Sequence, residues 1–499
     1  ATGADSPAVA GLKKQLAEVE AKLGDATAAA AGLQAGAAAK ANAQLAEELK
    51  QAEASGDQLK AAELKSQLLA GEKKLTELAV NKLKDEKKQL AGKEDAASKE
   101  KLVELNGKLA SAVQADALAA KSALEAQAAK LTVEAAQAAQ GAEAGSKLAA
   151  QKLEAEAAAI EVEALKAELA GIEEQKALTE ELLAAAGADE QAAAKLLEML
   201  GALDVKQDLL EQQIAKDEIK SLAQSIDILN EEAKQAADTA EKMKLELAAA
   251  QAEIKLAGLE SGSAERIAAL QEAKETAEKQ AEKAKADGDA AGAQSSAQLA
   301  VSLNQALQAV LKEKLFTNKE LLEKRINEQA QNGEQVNPLL VDENNSAIQE
   351  LRKLQADRYT EEEKKAAEAI ADNIRKSDSS LVVLPVDSFI SKQFDVKLEM
   401  PPVLIDGTAY IHIRPISESF GALVLWSDTD QTVYVGKGDL TLVAQVGSNV
   451  ALKNGKQVTL DTPPKLVEQR TIVPLRFVAE GLGLAVRWYP DTQTIEISE

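Results

Sequence analysis

The residues of this chain that could do chemistry are few, and they lie near its end. His412 is the only histidine among 499 residues and there is no cysteine. Multi-imidazole metal sites, thiolate zinc sites, thiolate nucleophiles and His-based triads therefore have no raw material. No glycine-rich phosphate loop occurs. What remains is a small set that appears twice: Arg414, Glu418, Gly421 and Trp426, then Arg476, Glu480, Gly483 and Trp488. The arginines could receive an anion at the mouth of a groove, but each has a glutamate four residues later, which favours a local ion pair or a bond to a carbonyl. The indoles could stack on sugar rings, whereas recurrence at one place in both copies favours packing residues of each unit. Asp428-Thr429-Asp430 is far short of a full calcium loop and reads as a turn. His412 reads as a plain strand residue. No catalytic residue, cofactor site or metal ligand follows, so the chain reads as non-enzymatic.

These residues belong to an internal duplication. Residues 401–435 align without a gap on residues 463–497, an offset of 62. Pro401-Pro402 meets Pro463-Pro464, and Trp426 meets Trp488. Each copy predicts strand, short helix, then hairpin. In the first, an Asp406-Gly407 turn leads to a strand near 408–413, a helix from Pro415 to Phe420 stopped by Gly421, and strands near 423–427 and 431–435. Between the copies a hairpin is expected around Asn454-Gly455. The product should be a small α+β domain over residues 381–499, with two short helices on antiparallel sheet.

The pattern resembles the copper amine oxidase N-terminal-like domain. The second copy carries the likeness through Ile472-Val473-Pro474-Leu475-Arg476-Phe477-Val478-Ala479-Glu480 and Val486-Arg487-Trp488, while the first departs at His412 and Pro415. The resemblance implies a non-catalytic module of the kind common on secreted and surface proteins of Gram-positive-type bacteria. Copper itself is excluded, because such a centre needs several imidazoles.

The rest of the chain is a different material. Between Pro7 and Pro338 there is no proline, and no aromatic residue precedes Phe316. Long helices packed on one another need neither, whereas a catalytic core usually needs both. Apolar residues recur three and four apart, as in Val162, Leu165, Leu169, Ile172 and in Ile219, Leu222, Ile226, Leu229, which predicts helices with one buried stripe. Glycine beside a capping residue at Gly24-Asp25, Gly56-Asp57, Gly187-Ala188-Asp189, Ser261-Gly262-Ser263 and Gly288-Asp289 predicts hairpin corners. Gly71, Gly107 and Gly171 have no such neighbour and read as close helix contacts. The fold class is thus mainly α: a long Ala-rich helical bundle or set of coiled-coil hairpins, then the small α+β domain. The expected divisions are a flexible segment over 1–11, an Ala-rich stalk or bundle over 12–331, and a helical connector over 332–380. Ser346-x-x-Gln349 and Thr360-x-x-Glu363 place connector helices near 347–357 and 361–376.

The formal net charge of -24 disfavours nucleic acid, whose phosphates need the opposite sign. No apolar run reaches the ~20 residues of a membrane span. The start, Ala1-Thr2-Gly3, reads as an end left by signal-peptide removal. The functional expectation is a secreted, non-enzymatic structural protein of filament, surface layer or matrix, forming a homo-oligomer or polymer through helix packing and a terminal docking module. The alternative is a cell-wall-polymer anchor with a helical spacer. Glycan, a neighbouring subunit and calcium all stay open as partners of the terminal domain.

Overall fold

A computed structural model describes residues 35–499 except 94, 142, 143 and 188. It divides into two compact units, the first ending at Glu231 and the second beginning at Glu232. The corner at Gly24-Asp25 and the segment 1–11 lie outside the described residues.

The first unit holds α1 (residues 35–55), α2 (Gln58–Leu90), α3 (Ala96–Ala138), α4 (Ala144–Ala186) and most of α5 (Glu190–Gln235). At the first corner Gly56 adopts a left-handed φ of +74°, and Asp57 caps α2 by accepting from Lys60 N at 3.1 Å. Gly187 with Asp189 repeats the device. Consecutive helices run antiparallel: Asn106 bonds Glu181 while Lys121 pairs with Glu168, so numbers rise along α3 as they fall along α4. Lys84 and Lys87 of α2 meet Glu174 and Glu181 of α4, each at 2.6 Å. From α5, Lys206 joins Lys121 on the buried Glu168. Alanines such as Ala128, Ala135 and Ala164 are buried at these contacts, and small side chains let helix axes come close. A Cβ added to Gly171 would lie 2.1 Å from Ala117 Cβ, and one on Gly71 2.0 Å from Asn42 Oδ1. Both glycines mark close approaches, as expected. Gly107 faces open space and has no such role.

The second unit continues with α6 (Thr239–Glu260), α7 (Ser263–Ala286), α8 (Ala290–Gln331), α9 (Pro338–Ala356) and α10 (Glu361–Ser377). The expected helix start near 347 is wrong. Ser346 lies inside α9 with Oγ donating to Asp342 O, and the helix begins at Pro338 behind the Asn337 cap. Asn followed by Pro at the first helical turn is the stronger start signal, since proline has no N–H to leave unpaired. The other capping box is present: Glu363 N donates to Thr360 Oγ1 and Thr360 N to Glu363 Oε2.

Thirteen strands follow. β1 (Val382–Val383) and β2 (Phe389–Ile390) precede the first repeat, which runs β3 (Val403–Ile405), β4 (Thr408–His412), α11 (Ile413–Ser419), β5 (Leu423–Ser427) and β6 (Thr432–Lys437). The insert supplies β7 (Leu440–Gln445), β8 (Val450–Lys453) and β9 (Lys456–Thr459). The second repeat runs β10 (Lys465–Val467), β11 (Arg470–Pro474), α12 (Leu475–Gly481), β12 (Ala485–Tyr489) and β13 (Thr494–Ser498). α11 begins at Ile413, two residues before the expected Pro415.

The strands form three sheets, ordered β1-β3-β4-β11-β10, β12-β13-β2 and β5-β6-β7-β8-β9. The expectation of purely antiparallel sheet needs correction: β2 pairs parallel with β13, through Ile495↔Phe389 and Glu496↔Ile390. A strand arriving from before both repeats is not tied to its neighbour by a hairpin, so nothing imposes the antiparallel sense.

The register between repeats carries the symmetry. In the β4–β11 pair Ile411 stands opposite Val473, its own counterpart at the offset of 62, flanked by His412↔Ile472 and Tyr410↔Pro474. A local two-fold axis therefore passes between Ile411 and Val473 and exchanges the flanking pairs. The main core lies on this axis, with Ile411, Ile413, Ile416, Val473, Leu475 and Val478 among its buried members. Helices before the repeats take part in two further clusters. Ile374 of α10 packs with Met400, Val403, Tyr410 and Ile472, while Phe316 of α8 and Ile348 of α9 pack with Ile390.

Candidate functional site

Because the axis crosses the two hairpins, each repeat's short helix and following strands are faced by the other repeat's first hairpin. Two grooves result, and they are the same groove twice. The first is walled by Ile413, Arg414, Val424, Trp426 and Val433 of repeat one, with Leu466, Gln469, Arg470 and Thr471 of repeat two. The second has Leu475, Arg476, Val486, Trp488 and Ile495 of repeat two, with Leu404, Gly407, Thr408 and Ala409 of repeat one. Every residue in the second set is the counterpart of one in the first. β8 and β9 add Lys453, Val458 and Thr459 to the second groove alone.

The two have diverged. In the first, of about 360 Å³, Trp426 is half-buried and its indole Nε1 donates to Asp428 Oδ1 at 2.6 Å. The second has about 600 Å³ and replaces Gln469 and Arg470 by the smaller Gly407 and Thr408. Pro490 stands where Asp428 would be, so the Trp488 indole has no such acceptor; the residue is 39 % exposed, and its ring makes no hydrogen bond among the described residues. The expectation that both tryptophans are packing residues holds for Trp426 alone. Trp488 is a groove wall, freed by the loss of its latch.

The other recurring residues fall as the spacing implied. Arg414 Nη1 donates both to Glu418 Oε1 at 3.2 Å and to Val424 O at 3.1 Å. Arg476 Nε lies 3.7 Å from Glu480 Oε1 with both side chains mostly exposed, a pair of small energetic weight. Gly421 and Gly483 end their helices at φ +74° and +81°. In the Asp428–Asp430 turn the Asp428 carboxylate accepts from Trp426, and the Asp430 carbonyl accepts from Thr432 Oγ1 and Gln445 Nε2. No cluster of metal-binding type occurs among the described residues. The contributions of Leu404, Phe477, Lys453 and Val458 to the open groove were missed by sequence reasoning, although the offset of 62 pairs Leu404 with Leu466.

The far face of β12 meets α8. Lys319, with a side chain 2 % exposed, places Nζ 3.1 Å from Glu323 Oε1 and 2.9 Å from Glu496 Oε2. The Tyr489 hydroxyl lies 2.5 Å from Glu323 and 2.6 Å from Glu496, and Arg487 completes the group on Glu323. Burial pushes Glu323 up, but the Tyr489 hydroxyl, Lys319 and Arg487 outweigh it and hold the carboxyl below its usual range. Tyr489 is pushed well up by burial and the two carboxylates.

Residues 390–497 match the family model of the copper amine oxidase N-terminal domain. That domain is a non-catalytic accessory domain. No curated protein and no solved structure shows significant similarity to the chain. Among the described residues no helix is long and apolar enough to cross a membrane.

His412 gives a test of this assignment. It stands where the second repeat has Pro474, with φ of -65°, which proline can adopt. Burial, then the charge of Arg470, holds its imidazole below the ordinary range. The folded state thus resists protonation, so the group destabilises as pH falls below its unfolded value of about 6.5. The loss stops once pH passes below the lowered folded value. His412→Pro should unfold within ~1 kcal/mol of wild type at pH 7.5 and lose less stability on acidification to pH 5.5. Denaturant titrations at the two pH values measure both; an unchanged acid response would remove His412 as its source.

Proposed function

We propose that this is a non-enzymatic structural protein that works at the cell surface or outside the cell by assembling with copies of itself. The helical hairpins provide length and the carboxy-terminal module provides attachment. One observation carries the reading. On the outward face of β5–β9, Leu425, Tyr434, Val443 and Leu452 stand directly opposite one another across four strands. Leu423 and Val450 flank the row, and Leu423 is 63 % exposed. At ~4.8 Å between strands the row is about 14 Å long, and a contiguous apolar patch of this kind marks an interaction surface. It carries no charge of its own, so a second copy of the same face is a compatible partner.

Sedimentation velocity and negative-stain microscopy of the full chain test the proposal. The wild type should form dimers or larger assemblies, and Leu425→Glu/Leu452→Glu should sediment as monomer with unchanged circular dichroism. A wild type that stays monomeric up to ~100 μM would end the proposal. A second reading, a cell-wall-polymer anchor with a helical spacer, is favoured by the open groove beside Trp488.

A further inference from the structure

The two grooves are an internal comparison: same fold, same chain, related by one axis. Three differences separate the open one from its partner, and all enlarge it. Asp428 becomes Pro490, releasing the indole; Gln469 and Arg470 become Gly407 and Thr408, clearing the mouth; β8 and β9 add a wall. A packed structural unit gains nothing from these changes, since they leave an indole in water and about 600 Å³ empty. We propose that the Trp488 groove is a binding site for a neutral saccharide chain.

The lining decides the class. Trp488, Phe477, Val458 and Leu404 form an apolar, aromatic floor, suited to the C–H faces of sugar rings. The rim is polar and balanced, Lys453 and Arg476 against Glu480 and Asp461, with threonine hydroxyls between. A polyanion needs excess positive charge here, and the chain's net charge of -24 opposes it. A cation needs excess negative charge. A wholly apolar ligand would bury rim donors and acceptors without partners. A neutral polyol satisfies floor and rim together, and the volume lies within the range of small-ligand sites. Lys453 and Val458 of its lining face the side of the sheet opposite Leu452, Thr459 reaches it from the end of β9, and neither Leu425 nor Leu452 lines it, so it can be tested apart from self-assembly.

The test uses the full chain and three probes: chitotetraose, cellotetraose and maltotetraose. Trp426→Phe leaves Trp488 as the one indole reporter. Saturable quenching or enhancement of its fluorescence by at least one probe is the expected result. Trp488→Ala should abolish binding by calorimetry with a thermal midpoint near wild type. Thr408→Arg, which installs the side chain of the closed groove, should weaken binding at least tenfold with Trp488 still present, so it keeps the test valid if Trp488→Ala folds poorly. Failure of all three sugars, binding that survives Thr408→Arg, or binding of an anionic polymer or proline-rich peptide in place of the sugars would overturn the proposal.

Discussion

Lys319→Met should destabilise the carboxy-terminal unit by about 3–5 kcal/mol, the range found when one member of a buried ion pair is removed. The lysine is the buried cation between Glu323 and Glu496, and both carboxylates also crowd the Tyr489 hydroxyl. One hydroxyl proton can serve only one of them. Without Lys319 the second carboxylate keeps its desolvation cost and loses its counter-charge. Lys319→Met/Glu496→Leu should recover much of the loss, because an apolar pair in place of a buried ion pair is often neutral. The pH response follows from Glu323, whose folded value is depressed. Its contribution is complete above the unfolded carboxyl value of about 4.3 and disappears as pH falls through the lower folded value. Denaturant unfolding of both variants at pH 7 and pH 3 measures these terms. A loss below ~1 kcal/mol for Lys319→Met would show that the group does not hold α8 to β12.

Ile411→Ala should cost about 2–5 kcal/mol, as buried isoleucine truncations do, and Val473→Ala somewhat less because fewer atoms are removed. Both are almost fully buried, and they face each other on the two-fold axis. The double variant should therefore cost less than the sum, since the second truncation removes contacts already lost. Strict additivity in a double-mutant cycle would contradict the register. Trp488→Ala, despite removing the larger side chain, should cost under ~1 kcal/mol, because a half-exposed groove wall gives up little buried contact.

Much of the fold was legible. The 3-4 spacing of apolar residues and the Gly-Asp corners located helices because those signals are local. The offset of 62 located both repeats for the same reason. Three things were not legible. The start of α9 was misplaced because Ser346-x-x-Gln349 matches a capping box by spacing alone, and only structure shows Ser346 Oγ turned back to Asp342 O. The parallel pairing of β2 on β13 joins segments more than a hundred residues apart, and no local pattern records it. The fate of Trp488 depended on Pro490, one side chain whose meaning appears only when Asp428 is seen bonding Trp426.

The axis through Ile411 and Val473 has the geometry of an isologous interface, the kind two identical chains make when they pair. The module is in effect a homodimer written into one polypeptide. In a true homodimer every substitution appears twice, so both grooves must change in step and neither can be latched while the other stays open. Joining the halves in tandem lifts that constraint. Each position now has two independent letters, and Asp428 against Pro490 is what that independence looks like: one indole held by a carboxylate, the other left open to solvent.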